Sequence, residues 1–188
     1  MKNTKPKKLN KSVQFSKNDS STKPWEKTAR SKSKPVNRAQ SADGSIWLWG
    51  THAVDAAIKN ENRDIIEIIA TKNAASHLPQ GKKAKIVEPE FLSEFLPPNS
   101  VHQGIAARVK PLPEPDYAKS LENGKLLFIL DQLTDPQNIG SIFRTAAAFG
   151  ACAIIQQDRK APPITGSLAK AAQGGVEIIP DLRVVNIS

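Results

Sequence analysis

The chain has 188 residues, enough for one ordinary domain or two small ones, and its hydrophobic fraction of 39% is low for a single compact domain. Its net charge of +9 lies at the beginning: residues 1–44 hold twelve Lys or Arg and three acidic residues, and the remainder is balanced. The single cysteine, Cys152, excludes an intrachain disulfide, and no stretch approaches the ~20 apolar residues of a bilayer-spanning helix.

Residues 1–45 are predicted to form a disordered basic arm. The segment is rich in Lys, Ser, Asn and Pro and has no apolar period, so it cannot bury enough surface to offset the entropy of ordering. Basic arms of this kind commonly bind nucleic acid through its phosphates. A purely solubilising extension fits the composition equally well, and both interpretations stay open.

The sequence pattern of residues 46–110 predicts a small α/β unit. Thr51 is a candidate N-cap for a helix that ends at Asn60, and a second helix begins at Pro89 and stops at Pro97-Pro98. The apolar and β-branched runs predict strands over 65–70, 85–87 and 105–109, and a short helix is predicted over 74–78.

A Pro-rich linker is predicted over residues 111–123, because Pro111, Pro113 and Pro115 interrupt regular structure. Residues 124–188 then alternate in the doubly wound, Rossmann-like pattern, with Gly150 at the C′ position of the first helix. Three strands alone leave an open sheet edge and a small core. The predicted elements are strand 125–131, helix 139–149, strand 153–156, helix 164–172 and strand 176–179.

The segment from Leu130 to Ala146 follows a buried strand and opens a helix, which is where α/β folds place ligand sites. Asn138 is a candidate helix cap, and Gly140 and Arg144 share one helix face. Gly140 either leaves room for a guanidinium group or substrate, or only permits close packing, in which case Arg144 is a solvated charge. Cys152 lies in an apolar run and is predicted to be a buried, inert thiol.

Four segments resemble the SpoU family of the knotted SPOUT methyltransferase class. Asp135-Pro-Gln-Asn-Ile-Gly140 with Ile142-Phe-Arg-Thr-Ala-Ala-Ala-Phe-Gly150 is similar to the family's first signature motif, and Lys170–Glu177, with Pro180 and Arg183-Val184, is similar to the following segment of its ribosomal-RNA branch. Gly50-Thr-His-Ala-Val54 and His102-Gln-Gly-Ile105 resemble motifs of that branch's N-terminal domain, whose fold is like ribosomal protein L30e.

This resemblance implies methyl transfer from S-adenosylmethionine to a ribose 2′-hydroxyl of RNA. It assigns Arg144 as the catalytic arginine and Asn138 as its orienting partner. Because a guanidinium keeps its proton, we expect Arg144 to bind an RNA phosphate and stabilise the alkoxide rather than act as a base. The resemblance also places His52, His102 and Gln103 against RNA, although His52 also fits a plain helix start and His102-Gln103 a plain turn.

The family's other two motifs, which form the knot and most of the donor site, are expected beyond Ser188. We therefore expect no cofactor-binding residues and no metal site in this chain, poor stability of its second half, and no tight donor binding or methylation. The family implies a guanosine of large-subunit ribosomal RNA as target and a homodimer for the full-length protein. A transfer-RNA methyltransferase and a non-catalytic RNA-binding protein remain alternatives. A cytoplasmic location is expected, with mitochondria as the alternative.

Overall fold

The computed structural model describes residues 43–121 and 126–187, and all of them belong to one compact unit, Pro35–Ser188. The predicted basic arm lies outside the described residues, apart from its last three positions. The described chain folds into two sheets, one of four strands and one of three. Within these two ranges no helix combines the length and the apolar character that crossing a bilayer requires.

The first sheet has the strand order β1-β4-β2-β3. Strand β4 is antiparallel to both β1 and β2, and β3 is parallel to β2. All four residues of β1 are buried, and alternate residues join different apolar clusters, since Trp47 and Trp49 pack with Leu92 of α3 on the other face from Leu48. The elements are β1 (Ile46–Trp49), α1 (Thr51–Lys59), β2 (Ile65–Ala70), α2 (Lys72–Ala75), β3 (Lys85–Ile86), α3 (Pro89–Phe95) and β4 (Ile105–Val109).

The second sheet is parallel, with the order β5-β6-β7. Helices α5 and α6 pack against each other and so cover the same face, because sequential parallel strands joined by right-handed crossovers place successive helices on one side. A doubly wound sheet normally carries helices on both faces. Ile129 is 56% exposed on the opposite face. The elements are α4 (Tyr117–Leu121), β5 (Leu127–Leu130), α5 (Pro136–Ala148), β6 (Ala153–Gln157), α6 (Gly166–Ala172), α7 (Gly175–Ile178) and β7 (Asp181–Val184).

The two sheets share one apolar core. Leu48 and Val54 of the first half belong to the same buried cluster as Phe143 and Leu168 of the second. The first residue of α6, Gly166, is in direct contact with β1, since a Cβ atom there would overlap the Trp49 indole and the Trp47 carbonyl. The relative placement of the two halves is therefore fixed by direct backbone packing, and the predicted domain boundaries stay a prediction.

The predicted third strand over 176–179 is wrong. Its residues form the short helix α7, and the third strand of the sheet is β7. Gln173 and Gly174 both adopt left-handed conformations that end α6, and Val176 and Ile179 then point into the core at the spacing of one helical turn. The periodicity of so short an apolar run does not distinguish a helix from a strand, and its β-branched residues favoured the strand.

Smaller differences concern element ends. Helix α2 lies two to three residues earlier than the predicted helix over 74–78, and α4 occupies the end of the predicted linker. The stretch with three prolines, residues 111–116, contains no helix or strand, as predicted. Gly150 has a φ of 64°, and the Ala151 N–H donates to the Ala146 carbonyl (2.9 Å), so α5 ends in the predicted glycine cap.

Candidate functional site

Helix α5 carries the candidate site on one face. Its N-cap is Asp135, whose carboxylate accepts a hydrogen bond from the Gln137 N–H (3.0 Å), and Pro136 occupies the first helical position. The prediction that Asn138 caps the helix is therefore wrong, because Asn138 lies within the first turn. One face of α5 lines a single cleft with Gln137, Ser141 and Arg144, which are spaced at i, i+4 and i+7.

This cleft has a volume of about 560 Å³ and lies where the two halves of the chain meet. Its two charged side chains are Arg144 of α5 and Lys170 of α6, and none of the described residues that line it is acidic. Within the described part of the chain, neither of these cations forms an ion pair. We call it the Arg144 cleft; it is lined by Trp49, Pro97, Pro98, Asn99, Ser100, Val101, Gln137, Ser141, Arg144, Ser167, Lys170, Ala171 and Gln173.

Lys170 spans the boundary between the two halves. Its ammonium group donates a hydrogen bond to the Val101 carbonyl, in the loop between α3 and β4. Its stem passes over Gly50: a Cβ atom there would lie 3.7 Å from both Cγ and Cε of Lys170. Partial burial disfavours the charged form and lowers the pKa of Lys170 below its ordinary value.

The two short motifs of the first half come together next to this cleft. The Gln103 side-chain carbonyl accepts a hydrogen bond from the Thr51 N–H (3.0 Å), so Gln103 supplies the cap that Thr51 was predicted to provide. Thr51 is instead the first residue of α1, after the N-cap Gly50. Gln103 itself has a φ of 54° and lies in a tight turn, so it has a structural role at the start of α1.

His102 is held by hydrogen bonds within the first half. Its Nδ1 accepts from the Gly104 N–H (3.1 Å), which leaves the ring proton of a neutral imidazole on Nε2, 3.3 Å from the Ser93 hydroxyl oxygen. His52 is exposed in the first turn of α1. Neither histidine lines the Arg144 cleft, and their contact with RNA stays a prediction.

Asn138 and Arg144 lie on different sides of α5. They are six positions apart, which corresponds to about 120° around the helix axis and about 9 Å along it. Asn138 is exposed and does not line the Arg144 cleft. The structure thus brings Arg144 together with Gln137, Ser141 and Lys170, while the orienting role of Asn138 stays a prediction.

Gly140 serves close packing, not access for a guanidinium or a substrate. A Cβ atom there would lie 2.5 Å from the Leu168 carbonyl oxygen and 2.7 Å from the Ala171 Cβ. Gly175, in α7, also lies close to α5: a Cβ atom there would lie 2.9 Å from the backbone nitrogen of Arg144. These two contacts fix the backbone that carries Arg144 against α6 and α7.

The remaining candidates add little chemistry. The Cys152 thiol is half-buried and contacts the Leu126 carbonyl (3.5 Å), whereas full burial was predicted. Among residues 43–121 and 126–187, no cluster of three His, Cys, Asp or Glu side chains is arranged to hold a metal ion. A larger cleft of about 640 Å³, between Pro111–Pro115 and α7, contains none of the predicted site residues.

Sequence reasoning missed Lys170 as a site residue, together with Gln137 and Ser141. The i, i+4, i+7 spacing of Gln137, Ser141 and Arg144 was available in the sequence, since all three must share a helix face. Lys170 offered a weaker signal: it is the one charged residue between Gly166 and Val176. Its approach to Val101 depends on the packing of the two halves and leaves no local pattern.

Two family models match consecutive parts of the chain. Residues 47–115 match the family described as RNA 2′-O ribose methyltransferase substrate binding, and residues 125–188 match the SpoU rRNA methylase family. The Arg144 cleft therefore lies where these two matched segments meet.

Relatives match across both segments. An uncharacterized tRNA/rRNA methyltransferase of Synechocystis is 33% identical over 180 residues, covering 88% of this chain and 47% of its own length. The 23S rRNA (guanosine-2′-O-)-methyltransferase RlmB of Pasteurella multocida is 36% identical, with 75% of this chain and 63% of the relative covered. The chain thus spans roughly half to two thirds of the length of the relatives it matches.

Solved structures agree on the fold. The SpoU methyltransferase AviRb of Streptomyces viridochromogenes, in complex with AdoMet, superposes with a TM-score of 0.64 at 20% identity, over 79% of this chain and 60% of that one. The AdoMet-bound rRNA methyltransferase of Sinorhizobium meliloti gives 0.59 at 22% identity, over 75% and 54%. Matches of this extent include residues of both sheets. The resemblance seen in the sequence is confirmed, and the chain belongs to the SpoU family of RNA methyltransferases.

Proposed function

We propose that this chain is the substrate-binding part and the first portion of the catalytic part of an RNA ribose 2′-O-methyltransferase that modifies a guanosine of large-subunit ribosomal RNA. The single observation that carries the proposal is the Arg144 cleft: two cations and several neutral donors meet there, with no carboxylate among the described lining residues. Such a surface suits the RNA backbone, which presents anionic phosphates and hydroxyls.

Arg144 has the chemistry that methyl transfer to a 2′-hydroxyl needs from the protein. The hydroxyl oxygen must be aligned for attack, and the negative charge that develops on it must be stabilised. A guanidinium remains protonated and can bind a phosphate with two parallel hydrogen bonds, which fixes the ribose in position. Arg144 is exposed at the cleft and is therefore available to RNA.

S-adenosylmethionine is the cofactor of this family, as the AdoMet-bound solved relatives indicate, and it supplies the methyl group from a sulfonium centre. The residues of the Arg144 cleft do not fit it. A sulfonium is cationic, and the charged side chains of the described lining, Arg144 and Lys170, are cationic as well. We accordingly assign these residues to RNA alone.

Ribosomal RNA is the favoured substrate because relatives named 23S rRNA guanosine methyltransferases match both parts of the chain. Other relatives are named tRNA/rRNA methyltransferases, so transfer RNA is the second candidate. The non-catalytic RNA-binding alternative is not favoured, since residues 125–188 match the methylase family itself.

A homodimer and a cytoplasmic location are further proposals. Analytical ultracentrifugation tests the dimer, and a fluorescent fusion tests the location.

The test maps 2′-O-methyl groups in ribosomal and transfer RNA from cells with and without the gene. We expect one guanosine of large-subunit RNA to lose its methyl group in the deletion strain and to regain it with the natural gene. An Arg144→Ala gene should restore methylation roughly 100-fold more slowly or not at all. Arg159→Ala is the matched control, because Arg159 is exposed and outside the cleft. A change of methylation confined to transfer RNA would refute ribosomal RNA as the substrate. Unchanged methylation in both RNA classes would refute the proposed methyltransferase activity.

A further inference from the structure

Lys170 is the second cation of the Arg144 cleft, and its position differs from that of an ordinary surface lysine. It is half-buried, and its stem packs over the backbone at Gly50, the residue before the Thr51-His52 start of α1. Its ammonium group reaches the Val101 carbonyl, one residue before His102. A single side chain thus touches the first half of the chain at two points.

We propose that Lys170 is a positioning residue for the RNA: its ammonium group binds a backbone phosphate next to the target nucleotide while holding the loop at Val101 against α6. An ammonium group has three donors, and the Val101 carbonyl takes one of them. The other two are available to the cleft that Arg144 lines. This inference rests on the proposed function, because it names a second RNA contact in the same site.

The electrostatics of the cleft favour a phosphate at this place. A partly desolvated cation without an ion-pair partner among the described residues gains from an incoming anion, because the local dielectric strengthens the attraction. The lowered pKa of Lys170 reflects the same desolvation. Arg144 on α5 and Lys170 on α6 therefore form two phosphate contacts whose spacing is set by the close approach of the two helices at Gly140.

The test measures binding of the 188-residue chain to a single-stranded ribo-oligonucleotide of about ten nucleotides over a range of salt concentrations. Each phosphate contact on a single strand contributes about 0.7 to the slope of log K against log salt. We expect Lys170→Gln to lower the slope by about that amount and to weaken binding roughly fivefold at low salt, while Lys170→Arg keeps the slope. Lys82→Gln is the control, since Lys82 is exposed and outside the cleft.

Each outcome has a distinct meaning. If the natural chain binds no RNA, the proposed function fails, and the role of Lys170 with it. If the natural chain binds and Lys170→Gln keeps the same slope as Lys82→Gln, only the role of Lys170 is refuted. A loss of thermal stability without a change of slope likewise refutes it, because a purely structural lysine would behave in that way.

A pH series provides a second readout that does not depend on Lys170→Gln being folded. Partial burial lowers the pKa of Lys170, so its phosphate contact should weaken at a lower alkaline pH than that of an ordinary lysine, whereas an arginine keeps its charge. Binding of the natural chain should therefore fall more steeply with pH than binding of Lys170→Arg. Titration of the RNA bases affects both proteins equally. Identical pH profiles would overturn the inference.

Discussion

The guanidinium of Arg63 and the carboxylate of Glu177 form a buried, two-pronged ion pair between the two halves of the chain. Nε lies 3.0 Å from Oε2 and Nη2 lies 2.6 Å from Oε1, and the two side chains are 1% and 3% exposed. Arg63 also donates to the Lys110 carbonyl (2.8 Å), and Asn60 donates to Glu177 Oε2 (2.8 Å). The ion pair thereby holds the first half of the chain against α7 of the second half.

Removing one partner of this pair should be costly. Glu177→Gln keeps the size of the side chain but leaves the Arg63 charge buried without its counterion, so we expect the free energy of unfolding to fall by about 3 to 5 kcal/mol. Urea denaturation measures it. The control is Asp55→Asn, which breaks the exposed pair between Asp55 and Lys59 (2.7 Å) and should cost about 0.5 kcal/mol or less.

The double variant Arg63→Met with Glu177→Met separates the charge from the packing. If the cost of Glu177→Gln comes from an uncompensated charge, the double variant should be more stable than either single variant. Equal losses for Glu177→Gln and Asp55→Asn would instead show that the two halves do not pack through this pair in solution.

Gly140→Ala should destabilise the chain, although alanine is the better helix former by about 1 kcal/mol. The new Cβ would lie 2.5 Å from the Leu168 carbonyl, so α5 and α6 must separate, and we expect a loss of about 1 to 3 kcal/mol. Thermal denaturation monitored by circular dichroism checks the sign. Thr145→Ala, at an exposed position of the same helix, should change stability little. A stabilised Gly140→Ala variant would mean that the two helices are not in contact.

The sequence predicted the order of most elements and the helix that carries Arg144, because periodicity, prolines and Gly150 are local signals. It failed where either of two residues could begin the helix, since Asp135 and Asn138 are both good N-caps, and Pro136 after Asp135 was the signal that decided between them. The apolar run at Val176 was equally ambiguous. Lys170 carried only a weak local signal, because its partner Val101 lies 69 residues away.

Asp43 should stabilise the start of β1 in a pH-dependent way. Hydrogen bonds from the Ser45 hydroxyl (2.6 Å) and the Ser45 N–H (3.1 Å), then the Arg108 guanidinium, lower the pKa of Asp43 below its ordinary 3.8. A lowered carboxyl pKa adds stability above 3.8 that is lost as the pH falls through the folded-state pKa. Asp43→Asn should therefore lower the melting temperature at neutral pH and have no effect in strong acid.

The matched comparison for Asp43 is Asp64→Asn, whose carboxylate forms an exposed pair with Lys110 (3.1 Å). Melting temperatures measured across the acid range for the natural chain and both variants decide the question. A difference between Asp43→Asn and the natural chain that persists unchanged in strong acid would assign the effect to side-chain shape, and would contradict the electrostatic origin.

The basic segment at the beginning of the chain should supply much of the salt-dependent RNA affinity. Residues 1–42 carry twelve Lys or Arg and two acidic residues, while the rest of the chain is nearly neutral. A deletion should end at residue 42, because Asp43 contacts Ser45 and Arg108. We expect the deletion to weaken RNA binding at low salt and to flatten the slope of log K against log salt, since each lost phosphate contact removes about 0.7 to 0.9 from it. A variant with the same twelve residues changed to Gln keeps the length and removes the charge, and should behave like the deletion. If neither change alters the slope, the segment makes no phosphate contacts and serves solubility instead.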